Sequence, residues 1–253
     1  MKPHFKQIVT VILSVFLLSC NAEENNSIPV TTTPPVVTPP VVSPPTTIPS
    51  TVNYLALGDS YTIGQSVCET CRFPEQLKSS LRAMYSSTVS LKIIATTGWT
   101  TSNLISAIDS QKPESNYDLV TLLIGVNNQY QRRDFSVYEK EFPQLVNKAI
   151  MLAKGDKKNV VVISIPDYAY TPYGKSLFMD QTAAISAEIT KYNTFAENYC
   201  KNNQVAFVSI TEITREGLNS PNLVASDGLH PSEIAYKMFV DKMMPQVKMA
   251  LQD

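Results

Sequence analysis

Five short apolar runs, each followed by a stretch of helical character, constrain this chain more than any other feature. The runs cover residues 53–57, 90–95, 119–124, 160–165 and 205–209. Helix-like stretches lie at 74–85, 101–110, 137–153, 182–202 and 232–251. Runs this short and this uniformly apolar suit strands of a parallel sheet covered by helices on both faces. The alternation therefore predicts an α/β domain of three layers over residues 52–253. A sheet of this kind places its ligand at the carboxyl ends of its strands. The 43% hydrophobic content is enough for a sizeable core.

The first 51 residues read differently. Lys2 and Lys6 border an apolar stretch over 8–18 that is short for a membrane span and suits a signal peptide over 1–19. It ends in Leu17-Leu18-Ser19-Cys20, which resembles a bacterial lipobox. That resemblance implies cleavage before Cys20 and acylation of its thiol; the other reading is an ordinary secretory signal with a stray cysteine. Residues 20–51 then form a Pro/Thr-rich disordered linker, with Pro34-Pro35, Pro39-Pro40 and Pro44-Pro45 removing amide donors. At roughly 3 Å per residue such a stalk reaches several tens of Å. Glu23-Glu24 resembles the surface-export signals of some bacterial lipoproteins, and a plain spacer is the alternative. The expected address is the bacterial cell envelope, lipid-anchored at the periplasmic face or the outer-membrane surface. A net charge of -1 gives nucleic acid no electrostatic basis as a partner. The sequence carries no signal of oligomeric state.

Gly58-Asp59-Ser60 stands straight after the first apolar run, where a turn presents a hydroxyl at the sheet's carboxyl edge. A serine needs a base near neutral pH, and imidazole is the usual one. The chain has two histidines, His4 in the leader and His230. His230 lies in Asp227-Gly228-Leu229-His230-Pro231, with a carboxylate three residues upstream to fix its tautomer. Each residue also has a structural reading. Ser60 and Asp227 suit helix caps, His230 a surface position on the last helix, and Asn127 and Asn128 a turn.

Four segments in order resemble the blocks of the SGNH (GDSL) hydrolase superfamily. Gly58-Asp59-Ser60-Tyr61 is similar to the GDSL block, with Tyr for Leu. Thr97-Gly98-Trp99-Thr100-Thr101 is similar to the block that supplies a backbone amide. Gly125-Val126-Asn127-Asn128 is similar to the GxND block, with Asn for Asp, and 227–231 to the DxxH block. The resemblance implies a five-stranded, mostly parallel, flavodoxin-like sheet in a three-layer α/β/α sandwich. It implies a serine esterase with Ser60 as nucleophile, His230 as base and Asp227 orienting it. The Ser60 amide, the Gly98 amide and the Asn127 side chain would form the oxyanion hole. Serine, imidazole and amides suffice for ester hydrolysis, so no metal or organic cofactor is implied.

Cys68-Glu69-Thr70-Cys71 lacks a second CxxC and a spare histidine to complete a zinc site. In an oxidising envelope a Cys68–Cys71 disulfide is the first choice, leaving Cys200 unpaired and buried. Pairing of Cys200 with either of them stays open. Trp99 and the aromatic segment 166–173, with Tyr168 and Tyr170, are candidate substrate platforms; rings of this kind suit sugar faces, acyl chains or simple rim packing. The leading function is hydrolysis of short-acyl, acetyl esters, foremost on carbohydrates. A lysophospholipase or thioesterase and a non-catalytic binding module are the alternatives.

Overall fold

The first apolar run becomes β1 (Thr51–Gly58), an interior strand of a five-stranded sheet whose order is β2 (Thr88–Ala95), β1, β3 (Leu119–Leu123), β4 (Val160–Ile163) and β5 (Ala206–Val208). The computed structural model describes residues 49–252; the segment expected to be a signal peptide, the lipidation candidate Cys20 and the expected linker up to residue 48 lie outside the described residues. All four pairings are parallel. β3 (Leu119–Leu123) and β4 (Val160–Ile163) are buried at every residue, as continuous apolar runs require. β2 (Thr88–Ala95) and β5 (Ala206–Val208) are the edges and are only partly covered.

Helices alternate with the strands. In chain order they are α1 (Ser60–Ile63), α2 (Phe73–Tyr85), α3 (Thr101–Gln111), α4 (Val126–Tyr130) and α5 (Phe135–Leu152). There follow α6 (Pro172–Phe178), α7 (Thr182–Asn203), α8 (Thr211–Arg215) and α9 (Glu233–Leu251). α2 and α9 pack on each other, with Phe73 and Tyr236 6.3 Å apart between ring centroids. α3 packs on α5, and α5 on α7. In the α5–α7 seam Phe135, Tyr138 and Phe142 meet Tyr192, Phe195 and Tyr199 at centroid distances of 4.6–6.2 Å. Each such pair adds about 0.5–1.5 kcal/mol beyond its buried area.

The last two strands end sooner than the apolar runs 160–165 and 205–209 suggest. The Ser164 amide makes one more backbone bond, to the Val208 carbonyl (3.0 Å), and then a side chain takes over: Asn193 of α7 accepts from the Ile165 amide (2.8 Å) and donates to its carbonyl (3.0 Å). The short helices α4, α6 and α8 were not visible in the sequence, because five to seven residues are too few for a helical period to repeat.

Register sets the site. Gly58 at the end of β1 pairs with Ala95 of β2 and Leu123 of β3, so three strands stop at one level. The chain leaves β1 for β2 on one side and returns past β1 to β3 on the other. This is the topological switch point, where an open α/β sheet leaves a crevice.

Candidate active site

Gly58 makes the turn after β1 possible. A Cβ there would fall 2.1 Å from Thr62 Oγ1 and 2.5 Å from the Leu123 carbonyl oxygen, so no side chain fits. Asp59, fully buried, caps α1 by accepting from the Tyr61 amide at 3.0 Å. The cap is therefore Asp59, not Ser60, and Ser60 is the first helical residue. Burial pushes the Asp59 carboxyl up to about 7, against hydrogen bonds from the Tyr61 amide and Asn127 that act to lower it. Ser60 lines a cleft of about 190 Å³ together with Gly98, Asn127, Tyr130, Tyr168 and His230. Among the described residues, Ser60 Oγ makes no hydrogen bond to His230 or any other group. Such contacts are often long before substrate binds and tighten afterwards.

His230 is buried, and its Nδ1 lies 2.6 Å from Asp227 Oδ2. Asp227 Oδ1 accepts from the Leu229 and His230 amides at 2.9 and 3.0 Å, which folds the loop back on itself. Ser66 Oγ donates to Asp227 Oδ2 at 2.7 Å. Burial works to raise the Asp227 carboxyl, but the hydrogen bonds from Ser66, His230 and Leu229 prevail and hold it at about 2. A carboxylate on Nδ1 leaves Nε2 as the proton acceptor. Capping of α9 falls to Ser232, which accepts from the Ala235 amide, so Asp227 has no capping duty. Tyr61, where the GDSL block has Leu, sets its ring 5.0 Å from the His230 ring and braces the imidazole.

The opposite wall carries the amides. Gly98 has φ +82, a left-handed turn that favours glycine, and a Cβ there would meet nothing within 4 Å. The backbone is thus open to the cleft. Its carbonyl accepts from Gln131 Nε2 at 2.8 Å, and Thr97 Oγ1 donates to Gln65 Oε1 at 2.6 Å. Asn127 Nδ2 donates to the Trp99 carbonyl at 3.1 Å and reaches Asp59 Oδ2 at 3.4 Å. Asn128, at the GxND departure, is fully buried; it accepts from the Thr101 amide at 3.0 Å and donates to Thr101 Oγ1 at 2.7 Å. Thr101 Oγ1 in turn donates to Glu141. The side-chain NH2 of Asn128 is what lets Thr101 spend its proton on Glu141. Asparagine at 128 and glutamate at 141 belong together.

Of the aromatic candidates, Tyr168 lines the cleft, while Trp99 and Tyr170 are not among its lining residues. Both pack partly buried against the core instead. Tyr130, which the sequence did not single out, takes the place beside Tyr168, edge-on at 5.6 Å. The Tyr168 loop is held from beneath. Fully buried Asp167 accepts from Arg215 Nε at 3.0 Å and Ser186 Oγ at 2.6 Å.

Cys68 and Cys71 form a disulfide, and Cys200 is a buried free thiol whose pKa burial pushes up to about 12. Ser66, Gln65 and Gln131 are supporting residues missed in the sequence. Their partners lie 161, 32 and 33 residues away, and no local pattern marks such a contact. Among the described residues no group of three or more His, Cys, Asp or Glu side chains could hold a metal, and no helix is long and apolar enough to cross a membrane.

No curated protein matches the chain. Among solved structures it is similar to a member of the lipolytic G-D-S-L family from Veillonella parvula DSM 2008, with a TM-score of 0.59 and 17% identity over 76% of this chain and 96% of that one. An acetylxylan esterase from Geobacillus stearothermophilus gives a TM-score of 0.56 and 16% identity over 78% and 94% of the two chains. A psychrotrophic esterase from Pseudoalteromonas sp. gives 0.56 and 15% over 79% and 99%. At such identities the likeness shows a shared fold. The model of the GDSL-like lipase/acylhydrolase family matches residues 56–238, most of the domain from β1 into α9 and all four sequence blocks. The chain belongs to the GDSL-like lipase/acylhydrolase family.

Proposed function

We propose that this protein is a serine esterase that removes short acyl groups, acetyl foremost, from carbohydrate esters outside the cytoplasm. The observation that carries the reading is the 2.6 Å pair of Asp227 and His230 in a cleft shared with Ser60. Ser60 Oγ attacks the ester carbonyl while His230 Nε2 takes its proton. The oxyanion is met by the Ser60 and Gly98 amides and by Asn127 Nδ2, which gives up its long contact to Asp59. The intermediate collapses, His230 protonates the leaving alcohol, and Ser60 holds the acyl group. Water, deprotonated by His230, then releases the acid and restores the serine.

The acyl length is argued from space. A cleft of about 190 Å³ is below the roughly 300–1,000 Å³ typical of sites for drug-sized ligands, and it suits a short acyl group. The acetylxylan esterase among the structural neighbours supports a sugar ester, as do Tyr130 and Tyr168 at the cleft. The Leu17–Cys20 segment and the proline-rich stretch after it support a lipid anchor at the bacterial cell envelope.

A series of p-nitrophenyl esters from acetate to palmitate tests this reading. Highest kcat/KM on acetate, lost in Ser60→Ala, is expected. A maximum at long chains, also lost in Ser60→Ala, would turn the reading to a lysophospholipase or thioesterase.

A further inference from the structure

A second groove lies against the back of the catalytic cleft, lined by Gln129, Arg132, Arg133, Phe135, Glu188 and Lys191, among others, with a volume of about 280 Å³. Three cations there, Arg132, Arg133 and Lys191, stand against two carboxylates, Glu188 in the groove and Asp134 beside it. Glu188 Oε2 accepts from Gln129 Nε2 at 2.6 Å and lies 3.5 Å from Arg132. The Arg133 guanidinium makes no ion pair or hydrogen bond among the described residues. Lys191 Nζ sits 3.8 Å over the Phe135 ring and also acts on the Asp134 carboxylate, so Arg133 is the cation of the three with the least counter-charge. Asp134 accepts from the Ser136 amide at 2.8 Å, capping α5, and the Ser136 hydrogen bonds and then the Lys191 ammonium hold its carboxyl below the ordinary value.

The groove is joined to the cleft by one pair of side chains. Buried Gln129 donates to Glu188 on the groove side and accepts from Tyr168 Oη at 2.7 Å on the cleft side. Tyr168 lines the cleft in which Ser60 stands. Over the surface the two are also close: exposed Tyr130 lines the cleft and exposed Arg132, two residues on, lines the groove, so a ligand can pass from one to the other across that rim. Guanidinium forks match planar oxyanions in two parallel hydrogen bonds.

Resting on the sugar-ester reading above, we propose that the Arg132–Arg133–Lys191 groove binds an anionic substituent on the sugar portion of the substrate. The enzyme then favours acetylated acidic glycans over neutral ones, and the preference is set by binding beyond the acyl site.

The test compares wild type with the double variant R133A/K191A. Each is assayed on acetylated oligogalacturonate and on acetylated xylo-oligosaccharide, with p-nitrophenyl acetate reporting an intact catalytic site. Wild type is expected to prefer the acidic substrate, and the variant to lose about tenfold or more of the acidic-to-neutral ratio in kcat/KM, mainly through KM. High salt should erase the same preference. Binding of unacetylated oligogalacturonate and of a sulfated oligosaccharide to the full chain is measured separately by calorimetry. Binding of either, weakened in R133A/K191A, supports the subsite and names its anion, whether or not acetylated sugars are turned over. Turnover of p-nitrophenyl acetate without any sugar ester would instead count against the carbohydrate reading. Absence of binding by both oligosaccharides, or equal binding by wild type and variant, overturns the subsite. So does variant-sensitive binding confined to vesicles of an anionic lysophospholipid.

Discussion

Ser66 donates a hydrogen bond of 2.7 Å to Asp227 Oδ2, the oxygen that also holds His230 Nδ1. The loop that follows α1 therefore steadies the Asp227 carboxylate 161 residues away. Removing the hydroxyl in Ser66→Ala should lower kcat several-fold, with Ser66→Asn, which keeps a donor and tolerates the φ of +67 at this position, retaining more of the rate. The Asp227 carboxyl is held at about 2, below the ordinary 3.8, so its stabilising contribution is complete above pH 3.8 and is lost as pH falls through 2. Because the carboxylate is partly exposed, wild type should exceed Ser66→Ala by no more than about 1 kcal/mol. Urea unfolding should show that margin at pH 6 and a smaller one at pH 3. Equal rates and parallel stabilities would reduce Ser66 to a bystander on an exposed loop.

On the proposed mechanism Asn127→Ala removes a side-chain donor from the developing oxyanion. A fall in kcat of about 10²–10³-fold with little change in KM is expected. A large rise in KM at constant kcat would mean that Asn127 binds the ground state instead.

Asn128→Asp restores the residue usual in the family block, yet it should harm this protein. Thr101 Oγ1 has one proton and gives it to Glu141, so a carboxylate at 128, though it keeps the Thr101 amide on one oxygen, sets its other oxygen against that hydroxyl and competes for the proton. The cost should be about 1–3 kcal/mol. Glu141→Gln should recover part of it, which a double-mutant cycle reads directly. A neutral Asn128→Asp would show that the Asn128–Thr101–Glu141 chain contributes nothing.

Asp59 is raised rather than lowered, to about 7, chiefly by burial. The folded state therefore holds a proton that the unfolded state releases above pH 3.8. Stability should fall as pH rises from 4 to 7 and level off beyond, with a slope of up to about 1.4 kcal/mol per pH unit from this group. Asp59→Asn should remove that slope while keeping the cap to Tyr61. Parallel denaturation profiles of wild type and variant across that range would contradict the assignment.

Gly58→Ala should abolish soluble folding. Its Cβ would meet Thr62 Oγ1 at 2.1 Å and the Leu123 carbonyl at 2.5 Å, and backbone cannot move aside cheaply in a central strand. Adding Thr62→Ala should restore only part of the yield, because the carbonyl contact remains. Wild-type expression of Gly58→Ala would show that the turn is looser than it stands.

The sheet was legible in the sequence because each strand is a short, separate apolar run and its flanking helices are long enough to repeat. The site was legible for a related reason. Gly58 to Ser60, Gly98, Asn127 and Asp227 to His230 all follow strand ends or stand before a helix, where local sequence and local geometry coincide. What escaped notice depends on contacts made across the sheet edge. Tyr130 lies at the cleft and Trp99 does not, because a five-residue helix turns one ring in while the Trp99 carbonyl is tied to Asn127. Ser66 and Gln131 support the site through partners that no spacing rule links to them. Arg132 and Arg133 read as ordinary surface charges until α7 brings Lys191 beside them.

The central claim is that Ser60 is a nucleophile activated by His230. Its most direct test is covalent labelling with a fluorophosphonate, followed by peptide mass mapping. One adduct is expected, on Ser60, formed in parallel with loss of p-nitrophenyl acetate hydrolysis and suppressed in His230→Ala. Hydrolysis that survives with Ser60 unmodified, or inactivation by an adduct on another residue, would contradict it.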